Sequence, residues 1–259
     1  CMFCAQSGDC ELQNLAYRYQ MDNVRYPYAF PPLPTDTRSE YIVLDHNRCV
    51  LCGRCVRTCR EVVGNHTLDF GRRGWRTMVC ADMDQSLGES TCISCGACVQ
   101  ACPTGATFTK VSAYKGRTSE CQAVDSVCSL CAVGCETRVL VRDNNLVRID
   151  GAHLTGLRGQ LCHKGRFDPL LETRPRVITP LKKNSKGELE ECTWEEALGA
   201  VGRRLADIKK TSGPNAIAGI ASSTCSNDSL RQFAKLIRQV IGSDRLDTLD
   251  GDSYRTITR

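Results

Sequence analysis

Four groups of cysteine set the chemistry open to this chain. They are Cys1, Cys4 and Cys10; Cys49, Cys52, Cys55 and Cys59; Cys92, Cys95, Cys98 and Cys102, with Pro103 next; and Cys128, Cys131 and Cys135, joined by Cys162 further on. Together they take up fifteen of the nineteen cysteines. Thiolates grouped so tightly can hold a polynuclear iron cluster, because each short loop points two or three sulfurs into one small volume and the last ligand arrives from elsewhere. The chemistry implied is the conduction of single electrons.

Two blander explanations fit less well. A secreted disulfide scaffold would be short, whereas these cysteines are spread over 259 residues with ordinary globular stretches between them. Structural zinc is satisfied by four ligands in two pairs, and two complete C-x2-C-x2-C-x3-C runs overshoot that need. In a two-cluster ferredoxin unit the fourth cysteine of each run crosses to the other cluster. The ligand sets expected are therefore Cys49, Cys52, Cys55 and Cys102 for one 4Fe-4S cluster, and Cys92, Cys95, Cys98 and Cys59 for the other. Cys59 is followed by Arg60 and not by proline, which affects the local turn more than ligation.

The elements that must position these groups fall into an α+β and α/β multidomain chain. Residues 1–24 hold the first three cysteines and a helix-compatible run, Glu11 to Gln20, with Leu12, Leu15, Ala16 and Tyr19 on one side. Residues 25–40 form a connector stiffened by Pro27, Pro31, Pro32 and Pro34. The two-cluster ferredoxin domain spans 41–115, where Gly53 and Gly96 suit close approach of backbone to a cluster. The fourth cysteine group lies in 122–180, with a hairpin of Arg138 to Val141 and Leu146 to Ile149 around Asp143, Asn144 and Asn145.

Residues 181–259 alternate helix and strand as the start of a doubly wound α/β domain. Thr193 with Glu196 forms a capping box for a helix with Trp194, Ala197, Leu198, Val201, Leu205 and Ile208 inward. A buried strand is expected at Ala216 to Ala221. A helix then runs from Asp228 to Ile241 with Leu230, Phe233, Ile237 and Val240 inward and Gly242 as its stop, before a strand from Leu246.

Composition sets outer bounds. With 41% hydrophobic and 24% charged residues the chain is long enough for two or three compact domains. The formal charge of +5 does not argue for nucleic acid, since every bound cluster with its four thiolates makes the protein more negative. No stretch reaches the roughly 18 apolar residues of a membrane span, so direct membrane insertion is not expected. So many cluster thiols suggest a cytoplasmic setting, at most the cytoplasmic face of a membrane complex. Because the sequence begins at Cys1 and not at methionine, its native N-terminus is expected further upstream.

The order of these motifs resembles the large iron-sulfur subunit of bacterial respiratory complex I and its relatives in NAD-linked hydrogenases and formate dehydrogenases. The stretch Cys1-Met-Phe-Cys4-Ala-Gln-Ser-Gly-Asp-Cys10 is similar to that family's site of one histidine and three cysteines. The resemblance implies a fourth 4Fe-4S cluster on Cys1, Cys4 and Cys10, completed by a histidine before Cys1, with a 2Fe-2S ferredoxin domain earlier still. Cys128, Cys131, Cys135 and Cys162, with Leu161-Cys162-His163-Lys164-Gly165-Arg166-Phe167, look like the 4Fe-4S domain at the front of molybdopterin oxidoreductases. There the lysine lies between cluster and pterin, a role that Lys164 could take; it could equally tune the cluster alone.

The resemblance implies three 4Fe-4S clusters held wholly by this chain, the shared fourth, and no catalytic residue. It implies as partners a flavin- and NAD(P)H-binding subunit, a thioredoxin-like 2Fe-2S subunit, and a hydrogenase or other redox module. No G-x-G-x-x-G turn occurs, so nucleotide is expected on a partner. The alternative is a catalytic molybdenum or tungsten bis-pterin formate dehydrogenase. Against it, Leu246 to Arg255 lacks the cysteine and histidine expected near the metal, and the chain stops before most of a pterin domain; molybdopterin is not expected. An iron-only hydrogenase is disfavoured because Cys128 to Cys162 stand where its catalytic domain should begin. Cys80, Cys121, Cys192 and Cys225 are expected to be buried thiols, and His46, His66, His153 and His163 surface or hydrogen-bonded histidines.

Overall fold

The computed structural model describes residues 4–21, 23–27, 32–152 and 159–249. Cys1, His153 and the stretch from Asp250 onward lie outside the described residues, as does part of the proline-rich connector. The chain divides into two compact units, one of residues 1–130 and 134–172, the other of 131–133 and 173–259.

The first unit opens with helix α1 (Glu11–Arg18), which buries no residue. Strands β1 (Thr35–Asp36) and β2 (Ile42–Asp45) pair antiparallel, Asp36 opposite Leu44. Helix α2 (Arg54–Arg57) continues without a break into a wider π-helical stretch, Thr58–Val63, ended by Gly64 at φ 75°. A hairpin of β3 (Leu68–Gly71) and β4 (Met78–Ala81) follows. Helix α3 (Ala97–Ala101) then leads to β5 (Thr107–Thr109), which closes against β2 with Ile42 opposite Thr109.

Between these elements sits a core of Ile42, Cys55, Val56, Leu68, Val79, Ala81, Leu87, Cys98, Val99 and Phe167. Two cysteines of the expected cluster sets are therefore core residues. Cys49, Cys59 and Cys92 pack against the same core, so sulfur and hydrocarbon share one interior.

The unit is completed by an antiparallel sheet of β6 (Gln122–Val127), β7 (Glu136–Arg142) and β8 (Asn145–Gly151), then helix α4 (His163–Leu171). The expected hairpin is present as β7 and β8. Its two-residue turn, Asp143 and Asn144 at φ 49° and 60°, uses the two residue types that best tolerate the left-handed region. Strand β6 was not anticipated, because it is exposed along its whole length and shows no alternation.

In the second unit a hairpin of β9 (Leu181–Lys183) and β10 (Leu189–Glu191) precedes helix α5 (Trp194–Ser212). The capping box is formed as expected: Thr193 Oγ1 accepts from the Glu196 N–H, and the Glu196 carboxylate accepts from the Thr193 N–H. Strand β11 (Gly219–Ala221), helix α6 (Asn227–Lys235) and strand β12 (Leu246–Thr248) make a βαβ unit with a parallel pair, Gly219 opposite Leu246. Strand β11 starts three residues later than expected, because Pro214–Ala216 forms a tight helical turn.

Two expectations on facing need correction. Of the α5 face, only Leu205 and Ile208 reach the core of Ile217, Ile237 and Ile241; Trp194, Leu198 and Val201 are exposed. Two described strands are too narrow to cover a 19-residue helix. On the second helix Ile241 is buried and Val240 is exposed. The reason is that α6 widens into a π-helical stretch, Leu236–Ile241, and the extra residue per turn rotates the inward face by one position.

Candidate metal centres

The two C-x2-C-x2-C runs fold alike, residue for residue. Leu51 and Ser94, between the first and second cysteines, both take φ 54°, a strained value for residues with a Cβ. Each directs its N–H onto the first sulfur of its run, Leu51 to Cys49 Sγ and Ser94 to Cys92 Sγ, both at 3.4 Å. Gly53 and Gly96 then supply φ 71° and 73° and start α2 and α3, which carry the third cysteines, Cys55 and Cys98, into the core. Backbone strain and an N–H···S bond repeated at two sites mark loops shaped around sulfur.

The charge of each run's fourth cysteine acts on sulfurs of the other run. The Cys49 thiol is pushed up by burial, with the charges of Cys102 and Cys52 adding. Burial pushes Cys55 up to about 12, with Cys102, Cys49 and Cys52 as its charged neighbours. Cys92 is raised by burial, with Cys95 and Cys59 adding, and Cys98 is driven well above the ordinary range by burial, with Cys95, Cys92, Cys55 and Cys59 adding. Cys102 differs: burial would raise it, but the N–H groups of Thr107, Thr104 and Gly105 hold it below the ordinary thiol value.

This donor set suits a cationic core. Sulfurs that raise one another's pKa inside an apolar interior cannot all ionise unless positive charge lies among them, and iron in a 4Fe-4S group supplies that charge. Among the described residues no three His, Cys, Asp or Glu side chains are placed to hold a single metal ion.

The helices carrying Cys59 and Cys102 end differently, as the absence of proline after Cys59 foreshadows. Cys102 caps α3 in an extended conformation ahead of Pro103, whereas Cys59 sits in the π-helical stretch that continues α2. A π turn re-aims side chains by a fraction of a turn.

The first cysteine group docks on the Cys49 side. Arg48 Nη1 donates to Cys4 Sγ at 3.5 Å, Glu11 N donates to Pro103 O at 2.8 Å, and a Cβ at Gly105 would stand 3.6 Å from Cys4 Sγ. Cys10 caps α1. Helix α4 links the fourth group to the Cys95 loop: Arg166 Nε donates to Cys95 O at 2.8 Å, Cys162 caps α4, the Cys128 N–H donates to Cys135 O at 2.8 Å, and a Cβ at Gly165 would meet Cys128 Sγ at 3.2 Å. Cys131 lies in the second unit.

Lys164 is exposed on the first turn of α4. The buried cation on that helix is Arg166, which sequence reasoning missed; set among His163, Lys164 and Asp168, it carries no local mark that separates it from an exposed charge. His46 is buried with its Nδ1 unpartnered, contrary to expectation. Cys80 is buried as expected, its thiol pushed up to about 11 by burial and by Asp84, but Cys225 is exposed and Cys121 and Cys192 are only half-buried.

Comparison with known proteins follows the same order along the chain. Residues 1–25 match the NADH-ubiquinone oxidoreductase-G iron-sulfur binding region, and 48–106 a 4Fe-4S dicluster domain. Residues 121–169 match the molybdopterin oxidoreductase Fe4S4 domain, and 176–252 molybdopterin oxidoreductase. Among curated relatives, the NADPH-Fe(3+) oxidoreductase subunit alpha of Geobacter sulfurreducens is 30% identical over 96% of this chain and 29% of its own length. A G-type NADH-quinone oxidoreductase subunit of Rhizobium meliloti is 33% identical over 95% of this chain and 28% of its own. A putative formate dehydrogenase of Staphylococcus aureus is 28% identical over 93% and 28%. The chain thus spans under a third of the length of these relatives. A solved structure of an NAD+-reducing NiFe hydrogenase in the H2-reduced state is 32% identical, with a TM-score of 0.42, over 45% of this chain and 50% of that one. The chain carries 4Fe-4S-binding domains, and the resemblance to the large iron-sulfur subunit of complex I and its NAD(P)-linked relatives is borne out.

Proposed function

We propose that this chain is the electron-relay portion of an NAD(P)H-linked oxidoreductase, holding a row of 4Fe-4S groups between a flavin- and NAD(P)H-binding subunit and a second redox module. The observation that carries it is the serial order of the cysteine groups within the first unit. Cys4 neighbours the Cys49 site through Arg48, Cys55 neighbours Cys98, and α4, which Cys162 caps and whose Gly165 neighbours Cys128, reaches Cys95 O through Arg166.

In this reading Cys49, Cys52, Cys55 and Cys102 hold one group, Cys92, Cys95, Cys98 and Cys59 the next, and Cys128, Cys131, Cys135 and Cys162 a third. Cys1, Cys4 and Cys10 hold another, completed by a ligand upstream. When bound, such groups accept and release single electrons at potentials set by burial and by hydrogen bonds to sulfur. The chain's own residues supply those settings. Leu51 and Ser94 donate N–H groups to Cys49 and Cys92, while Ile42, Leu68, Val79, Leu87 and Phe167 exclude water from the interior. No group here need act as acid or base. Among the described residues no helix is long and apolar enough to cross a membrane.

Isolation of the native complex tests the proposal. The iron-sulfur signals of this chain should be reduced by NADH or NADPH when flavin-containing subunits are present, and should stay oxidised with nucleotide when the chain is alone. A second reading, a catalytic pterin formate dehydrogenase, draws on the match over 176–252 and on the Staphylococcus relative's name. Stoichiometric molybdenum or tungsten with formate oxidation would select it.

A further inference from the structure

Arg166 is 2% exposed, and every branch of its guanidinium is used. Nε donates to the carbonyl of Cys95 at 2.8 Å, Nη1 to Ile149 O and Asp150 Oδ1 at 3.1 Å each, and Nη2 to Gln100 Oε1 at 3.1 Å. Gln100 in turn holds both the N–H and the carbonyl of Gly151, at 3.1 and 2.9 Å. One side chain therefore ties α3, β8 and α4 together. The other oxygen of Asp150 accepts from Arg148 Nε at 2.8 Å, and Arg148 reaches Asp9, beside Cys10.

A purely structural tie would need no access to a sulfur loop, but this one is given it. Gly96 follows Cys95, and a Cβ there would stand 2.4 Å from Arg166 Cδ and 2.7 Å from its Nε. The loop is left open for the guanidinium to pass. The cation ends close enough to Cys95 and Cys98 for their sulfurs to act on its charge. Lys164, the cation suggested by resemblance, is exposed on the same helix. We propose that Arg166 is a positioning residue that raises the reduction potential of the group held by Cys92, Cys95, Cys98 and Cys59, and that holds α4, with Cys162 at its start, against that group. This rests on the cluster reading above.

The physical basis is that a fixed positive charge in a poorly screened interior stabilises the reduced, more negative form of a neighbouring group. Asp150 partly cancels that charge. The two residues therefore have effects of opposite sign on the same potential.

The test is a redox titration followed by electron paramagnetic resonance on the full chain with its native partners, the signal being assigned by its alteration in Cys98→Ser. Arg166→Gln should keep its iron and shift that signal's midpoint downward, Arg166→Lys should shift it less, and Asp150→Asn should shift it upward. The signal altered by Cys49→Ser should move less in all three. Unchanged midpoints, or shifts of the same sign in Arg166→Gln and Asp150→Asn, would overturn the proposal. If Arg166→Gln loses iron, the upward shift in Asp150→Asn decides alone, its absence counting against the proposal. A wild-type protein without iron-sulfur signals would instead remove the cluster reading on which it rests.

Discussion

Arg54 grips Glu11 through two hydrogen bonds, Nη1 to Oε1 at 2.6 Å and Nη2 to Oε2 at 2.9 Å, across 43 residues of sequence. The bidentate pair fastens α1, which buries nothing of its own, to the helix that begins beside Cys52 and Cys55. Glu11→Gln should therefore free α1. Amide exchange over Glu11–Arg18 should quicken while exchange in the buried strands β2 and β4 stays slow. The hydrogen bond from Arg54 holds the Glu11 carboxyl below its ordinary value of 4.5. A lowered folded pKa means the contribution is complete above that value and is lost as pH falls through the folded one. At neutral pH the fastening should not vary with pH.

Cys59→Ser should damage the group held by Cys92, Cys95 and Cys98, not the one nearer to it in sequence. The charge of Cys59 acts on Cys92 and Cys98, and that of Cys102 on Cys49 and Cys55. Paramagnetic resonance on single-serine variants would check this: Cys59→Ser and Cys95→Ser should alter the same signal. Pairing of Cys59→Ser with Cys52→Ser would contradict it.

Gly96→Ala and Gly53→Ala place the same methyl group at nearly the same φ, so each carries the strain of a left-handed residue, about 1–3 kcal/mol. Gly53 would meet the flexible end of Arg57 at 3.0 Å, whereas Gly96 would drive into the buried Arg166 at 2.4 Å. Gly96→Ala should be the more destabilising, measured as the fall in anaerobic melting temperature.

Phe167 is fully buried and stacks on Tyr41 with ring centroids 4.5 Å apart and planes within 3°. Phe167→Ala should cost about 3–5 kcal/mol. Trp194→Ala, at a helix start where the indole is exposed, should stay within about 0.5 kcal/mol. Chemical denaturation of the iron-loaded protein would compare them.

What was legible in the sequence was local. The spacing of Cys49 to Cys59 and of Cys92 to Cys102, the Asp143-Asn144 turn and the Thr193 to Glu196 cap each encode their geometry within a few residues. What was not legible depends on distant partners. Gln122–Val127 reads as nothing until β7 pairs with it. Val240 was exchanged for Ile241 because a π turn leaves no mark in the hydrophobic pattern. Arg166 gains its meaning from Cys95, 71 residues earlier, and Gly96 reveals that meaning only once its missing Cβ is seen to be the guanidinium's path. The expected crossing of Cys59 and Cys102 follows from a long-range rule carried by ferredoxin-type spacing, and the serine variants above test it.

The central claim is that these cysteines hold iron-sulfur groups in series. Iron, zinc and acid-labile sulfide should be measured on the anaerobically purified chain, with quantified paramagnetic resonance after reduction. The account predicts at least about twelve irons per chain with matching sulfide, three complete 4Fe-4S groups, and no stoichiometric zinc. Zinc in their place, or iron well below about twelve per chain without sulfide, would contradict it.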